Sequence, residues 1–200
     1  MNRRKGILTQ GRMAILLIVA ILLIDQIVKI WVKTHLAIGD NAFVFEGFGI
    51  EWLRMTFLEN NGAAGGLQLF GSKLFLSVFR MVAIVVVGYY MWLLSGRENV
   101  RKGFFFCLAL IFAGAAGNLI DCMFYGLCFT MSGGDMVAHY VGFAGEGHYA
   151  GFLEGRVVDM FEMPFTFVWN IADAAITIAV ILLLLFYRKE MGQITWRSEK

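Results

Sequence analysis

Proline occurs once in 200 residues, and only 16% of the side chains are charged against 59% that are hydrophobic. A soluble domain carries charge at about a quarter of its positions. This composition cannot supply a water-facing surface for a small soluble fold, so lipid is the solvent for much of the chain. Cysteine is scarce as well. Cys107, Cys122 and Cys128 show neither a CxxC pair nor zinc-ligand spacing, which argues against a zinc ribbon or a dithiol redox centre. Cys107 sits inside an apolar run, while Cys122 and Cys128 are placed either to pair or to remain thiols. Charge of one sign is also lacking: 17 Lys and Arg against 15 Asp and Glu leave a net charge of +2, too little for a nucleic-acid partner.

Long apolar runs are what the chain does have, and the mean hydropathy is +0.70. A bilayer core of about 30 Å needs about 20 apolar residues in a helix. Four stretches qualify, roughly 13–33, 73–95, 103–125 and 167–187. The basic start, Met1 to Gly6, resembles the front of a secretory signal, but the apolar run from Met13 to about Trp31 continues too far and has no small-residue cleavage site. A retained first span is expected. Residues 1–200 read as a single membrane domain with long outer loops over 34–72 and 126–166 and a short basic connection over 96–102.

Orientation follows from the positive residues. Arg3, Arg4, Lys5, Arg12, Arg97, Arg101, Lys102, Arg188, Lys189, Arg197 and Lys200 all fall on one side. Both termini are therefore expected in the cytoplasm and both long loops outside. In the first loop, Phe43 to Phe57 reads as two aromatic-rich strands around Gly47-Phe48-Gly49. The fold class expected is an all-α membrane protein of four transmembrane helices with a small periplasmic β-sheet. The second loop is rich in glycine without periodicity, and its place between two acidic residues suggests a lid.

Ionisable residues inside a span are costly, so each is a functional candidate. Asp25 and Lys29 are four residues apart on one helix face, acid first, the favoured order for an ion pair. Arg80 lies about two turns into the second span, placed to snorkel or to meet a substrate. Asp121 falls about 28 Å along the third span and Asp173 about 9 Å below the outer end of the fourth. Since those helices are antiparallel, both acids reach a similar depth near the outer face. Asn118 and Asn170 each precede an aspartate by three residues, placing an amide beside each carboxylate at helical spacing. Two carboxylates in a poorly solvated site cannot both ionise easily, which provides one acid and one base. A peptidase pair, a proton or ion relay in a small transporter, and a structural pair all remain open on spacing alone. A transporter would favour an internal repeat, and none is visible.

The motifs go further. Asp25-Gln26-Ile27-Val28-Lys29, Asn60-Asn61-Gly62-Ala63-Ala64, Gly117-Asn118-Leu119-Ile120-Asp121, and Val157-Val158-Asp159 leading to Asn170-Ile171-Ala172-Asp173 occur in that order over most of the chain. In this the chain resembles bacterial lipoprotein signal peptidase, also called signal peptidase II. The resemblance implies an aspartyl endopeptidase of the bacterial inner membrane that cuts before the diacylglyceryl-modified cysteine of a prolipoprotein. It implies Asp121 and Asp173 as the catalytic pair, with Asn118, Asn170 and Ala172 lining the site. Asn60, Gly62, Asp25 and Lys29 are implied as substrate-binding or supporting residues. No metal or cofactor is implied, and His139, His148, Glu146 and Glu154 are too loosely spaced to suggest one. The expected partners are the lipidated substrate and membrane lipid, with the enzyme a monomer. Three departures from the family pattern stand out: Gly65 replaces an aromatic, Cys122 replaces an arginine, and the segment after Asp121 is longer than usual.

Overall fold

The computed structural model describes residues 2–42, 50, 52–60, 73–95, 97 and 100–192. Helix α1 runs Asn2–His35, α2 Lys73–Ser95 and α3 Lys102–Ile120. A π-helical turn, Asp121–Tyr125, and the short α4, Gly126–Cys128, prolong α3. Helix α5 runs Ile171–Phe186 and α6 Arg188–Gly192. Among the described residues, three segments are long and apolar enough to cross a membrane: Gln10–His35, Ser77–Ser95 and Lys102–Cys128. The fourth expected span is a shorter apolar helix, α5. It begins at Ile171 rather than near 167 because Trp169 is held in a strand-like bridge to Phe161 and Asn170 caps the helix.

Small residues decide how the helices meet. Helix α3 is central and packs against α1, α2 and α5. A Cβ at Gly114 would overlap the backbone carbonyl of Ala172, and one at Gly117 would lie 2.8 Å from an Asp25 carboxylate oxygen. Glycine at these two positions therefore lets α5 and α1 approach the α3 backbone, as small residues do between membrane helices. One apolar cluster, with Ala14, Leu94, Phe105, Ala109 and Ala179, joins the helices in one half of the bundle.

At the other end lies an antiparallel sheet of order β1-β2-β3, formed by Asn41–Ala42, Arg54–Asn60 and Val157–Glu162. The first-loop strand is thus present, but it ends three residues later than expected, at Asn60. Its described partners are β1 and β3, and β3 comes from the second loop. The expected turn at 47–49 lies outside the described residues. Strand β3 was not expected because its partner is about a hundred residues away in sequence, as in the pair Asn60↔Val157. It is buried on both faces rather than alternating, so the period-2 signal of a half-buried strand is missing. Val158 and Met160 enter a second apolar cluster with Val32, Phe57, Tyr125 and Phe129. Asp159, between them, points the other way, toward the start of α5. The glycine-rich second loop is fastened to the rest by backbone bonds such as Tyr149 N–H to Gly126 O, 3.0 Å, and Gly155 N–H to Cys122 O, 2.9 Å.

Candidate active site

Lys29 is fully buried, and its ammonium finds an acceptor for each of its three protons. Asp25 lies at 2.9 Å, Asp121 at 2.8 Å and the Asn118 side-chain oxygen at 2.8 Å. The intrahelical pair expected from spacing is present, and a third helix joins it. The second Asp25 oxygen accepts the Ala172 backbone N–H at 2.9 Å, so α1 supplies an acceptor to the first turn of α5, whose N–H groups lack partners within their own helix. Ala172 is itself buried and packs where α3 comes closest. Its small side chain allows that approach.

Asp121 is 0% exposed and saturated. Besides Lys29 it accepts Gln26 Nε2 at 2.9 Å and the Val158 backbone N–H at 3.3 Å. Tyr125 in turn donates its hydroxyl to Gln26 at 3.2 Å. Asp121 opens the π-helical turn, a feature common at functional sites, and its carboxylate bolts α1, α3 and β3 together.

Asn118 does not serve the aspartate three residues after it. Its amide donates to Asp173 at 2.7 Å while its oxygen accepts from Lys29 and from Asn170. Asn170 is the N-cap of α5 rather than a residue within it, and its oxygen accepts the Asp173 backbone N–H at 2.9 Å. The Asn170 amide reaches Asp159 at 2.6 Å and Asn118 at 3.1 Å. Asn60, from β2, donates to the other Asp159 oxygen at 3.1 Å. Two asparagines therefore tie Asp159 and Asp173 into one cluster, with Asp173 half-buried and Asp159 only 1% exposed. Gly62 lies outside the described residues. Arg80 donates to the Cys122 sulfur at 3.2 Å, and all three cysteines are thiols.

Asp121, at the start of the π-helical turn, and Asp159, on β3, are in unlike surroundings. Asp121 has a lysine ammonium in contact, whereas Asp159 is held by the neutral amides of Asn60 and Asn170. Burial pushes the Asp159 carboxyl up to about 7, and the nearby charge of Asp173 pushes the same way, against the two amide hydrogen bonds. In the unfolded chain it titrates near 3.9. The folded protein thus holds a proton that the unfolded chain loses between about pH 4 and 7, and stability falls as pH rises through that window. Thermal unfolding temperature should decline between about pH 4 and 7 in the parent and decline less in Asp159→Asn. Parallel curves for the two proteins would show that Asp159 is not the group responsible.

Asp159 stands in the sequence within the Val157-Val158-Asp159 motif, where neither spacing nor hydropathy points to a role for it. The available signal was an acid directly after two β-branched residues, in a loop, upstream of the asparagine that opens α5. Gln26 gives no stronger signal, as an uncharged residue between Asp25 and Lys29.

The family model described as signal peptidase (SPase) II matches residues 17–188. A lipoprotein signal peptidase of Porphyromonas gingivalis is 40% identical over 205 aligned positions, covering 92% of this chain and 87% of that protein. The Clostridium tetani protein of the same name is 31% identical, covering 90% and 95%. A solved bacterial membrane enzyme matches in structure with a TM-score of 0.64 at 26% identity, covering 94% of each chain.

Proposed function

Because the chain belongs to the signal peptidase II family, we propose that it removes the signal peptide from diacylglyceryl-modified prolipoproteins, using Asp159 and Asp173 as the catalytic pair. It is an aspartic peptidase by family, and the relay reading finds no support. The observation that carries the choice of residues is the double amide bridge: Asn118 holds Asp173 and Asn170 holds Asp159, and these amides bond to each other. This pairing is preferred to Asp121 with Asp173 because Asp121 is held by the Lys29 ammonium, whereas Asp159 is held by neutral amides shared with Asp173.

The mechanism follows from the two environments. Asp159, buried and inclined to keep its proton, donates it to the scissile carbonyl oxygen. Asp173, half-buried at the first turn of α5, takes a proton from a water whose oxygen bonds to the carbonyl carbon. The tetrahedral intermediate then collapses. The C–N bond breaks, the proton on Asp173 passes to the departing cysteine nitrogen, and Asp159 recovers its own from the hydroxyl. Asn118 and Asn170 hold both carboxyls in register throughout. No metal or organic cofactor enters these steps.

The chain is read as a single inner-membrane domain with both termini cytoplasmic and the site near the periplasmic face, a monomer in lipid. The bias of Lys and Arg supports that orientation. So does the position of the sheet and the second loop, both at the end of the bundle that carries the carboxylates. A substrate whose acyl chains stay in the bilayer must be cut at that depth.

Purified protein in lipid should cleave a diacylglyceryl prolipoprotein before its cysteine and cut the unlipidated form at least about tenfold less efficiently, each buried methylene contributing about 0.8 kcal/mol. Equal kcat/KM for both forms would refute the lipid requirement.

A further inference from the structure

A second buried ion cluster lies beside the site. Lys33, on the α1 turn after Lys29, pairs with Glu59 of β2, and both side chains are sealed from solvent. Ser132, from the second loop, accepts from Lys33 at 3.1 Å and donates to the same Glu59 oxygen at 3.0 Å. Arg156, the residue before β3, takes the other Glu59 oxygen at 3.1 Å. The Tyr149 ring lies under the Lys33 ammonium at 4.9 Å, and its hydroxyl accepts the Arg156 backbone N–H at 2.8 Å. One carboxylate thus gathers α1, β2, both ends of the second loop and the entry to β3.

We propose that Glu59 is a positioning residue for catalysis, fixing the end of β2 so that the Asn60 amide meets Asp159. Glu59 and Asn60 are adjacent and pair with Val158 and Val157, the two residues before Asp159. Asn60 is the last residue of β2, and Glu59 is the residue directly before it. On the other strand, Arg156 precedes the pair Val157-Val158, so the same carboxylate holds both β2 and the strand that carries Asp159. A charge so deeply buried is seldom the cheapest way to stabilise a fold, since apolar replacements of such pairs are often neutral or better. Its geometry, with one acceptor holding four elements, accounts for its presence through the register it imposes. The inference rests on Asp159 being catalytic.

The test is a double-mutant cycle with the full chain in lipid, measuring kcat and KM on a diacylglyceryl prolipoprotein for the parent, Glu59→Gln, Asn60→Ala and the double variant. Glu59→Gln should lower kcat by about tenfold to a hundredfold, the scale of an ångström of misplacement, while KM stays within about twofold. The double variant should be no slower than Asn60→Ala within about twofold, because Glu59 acts through Asn60. Losses that multiply, or an effect confined to KM, would overturn the proposal. If Glu59→Gln does not stay folded, the cycle is run with Arg156→Gln, a partly exposed residue, and the same two patterns decide. Retained activity in Asp159→Asn would instead remove the underlying reading, whatever the cycle gives.

Discussion

Asp159→Asn should remain folded and lose cleavage by about 10²–10⁴-fold, the range carried by a positioned acid or base, and Asp173→Asn should lose a similar amount. The substitution keeps the shape of the side chain, but an amide holds no proton to give the carbonyl oxygen and accepts none from water. The two losses should not multiply, because residues that act as a unit fail together. The telling comparison is Asp121→Asn. That aspartate touches Lys29, Gln26 and the Val158 amide, so its loss should appear first as lowered stability, with folded protein still turning over. The measurement is single-turnover cleavage of a lipidated prolipoprotein, on protein shown to be folded by its unfolding transition. A folded Asp159→Asn with parental turnover, beside a folded and inactive Asp121→Asn, would restore the pairing of Asp121 with Asp173.

Lys29→Met carries the largest expected cost in stability. The side chain is similar in length, but its removal leaves Asp25 and Asp121 buried at 0% exposure without their cation. Breaking a buried pair by deleting one partner costs about 3–5 kcal/mol, equivalent to a fall in unfolding temperature on the order of 10 °C for a chain of this size. Asn118 also loses a donor to its oxygen, so the amide that holds Asp173 loosens and activity should drop with stability. Neutralising the acids as well, in the triple variant Lys29→Met, Asp25→Asn, Asp121→Asn, should regain much of the stability, since the penalty belongs to uncompensated charge. A Lys29→Met protein as stable as the parent would mean that the two acids have another source of charge balance. A triple variant no better than the single one would place the cost in packing instead.

The bundle is legible in the sequence because its causes are local. Apolar length placed α2 within the residues observed, and the three long helices fall where hydropathy put them. The Asp25–Lys29 pair was legible for the same reason, since four residues of helix bring those side chains together whatever surrounds them. The motif resemblance then narrowed the chemistry to a peptidase that uses aspartates. Where the reading went astray, it extended helical spacing past the residues that obey it. Asn170 is a cap with extended backbone, and Asn118 turns from its own helix toward Asp173 on another.

What the sequence determined by itself, then, is an apolar helical bundle of signal peptidase II type with aspartates gathered near one end. Which neighbours each of them meets was decided only in three dimensions. Asp159 arrives on a strand whose partner lies a hundred residues earlier, and the α5 cap receives it. Asp121 meets a lysine. A carboxyl's chemistry depends on whether a cation, an amide or another carboxyl is within about 3 Å of it, and that neighbour is chosen by the docking of strand on helix, which no local pattern encodes.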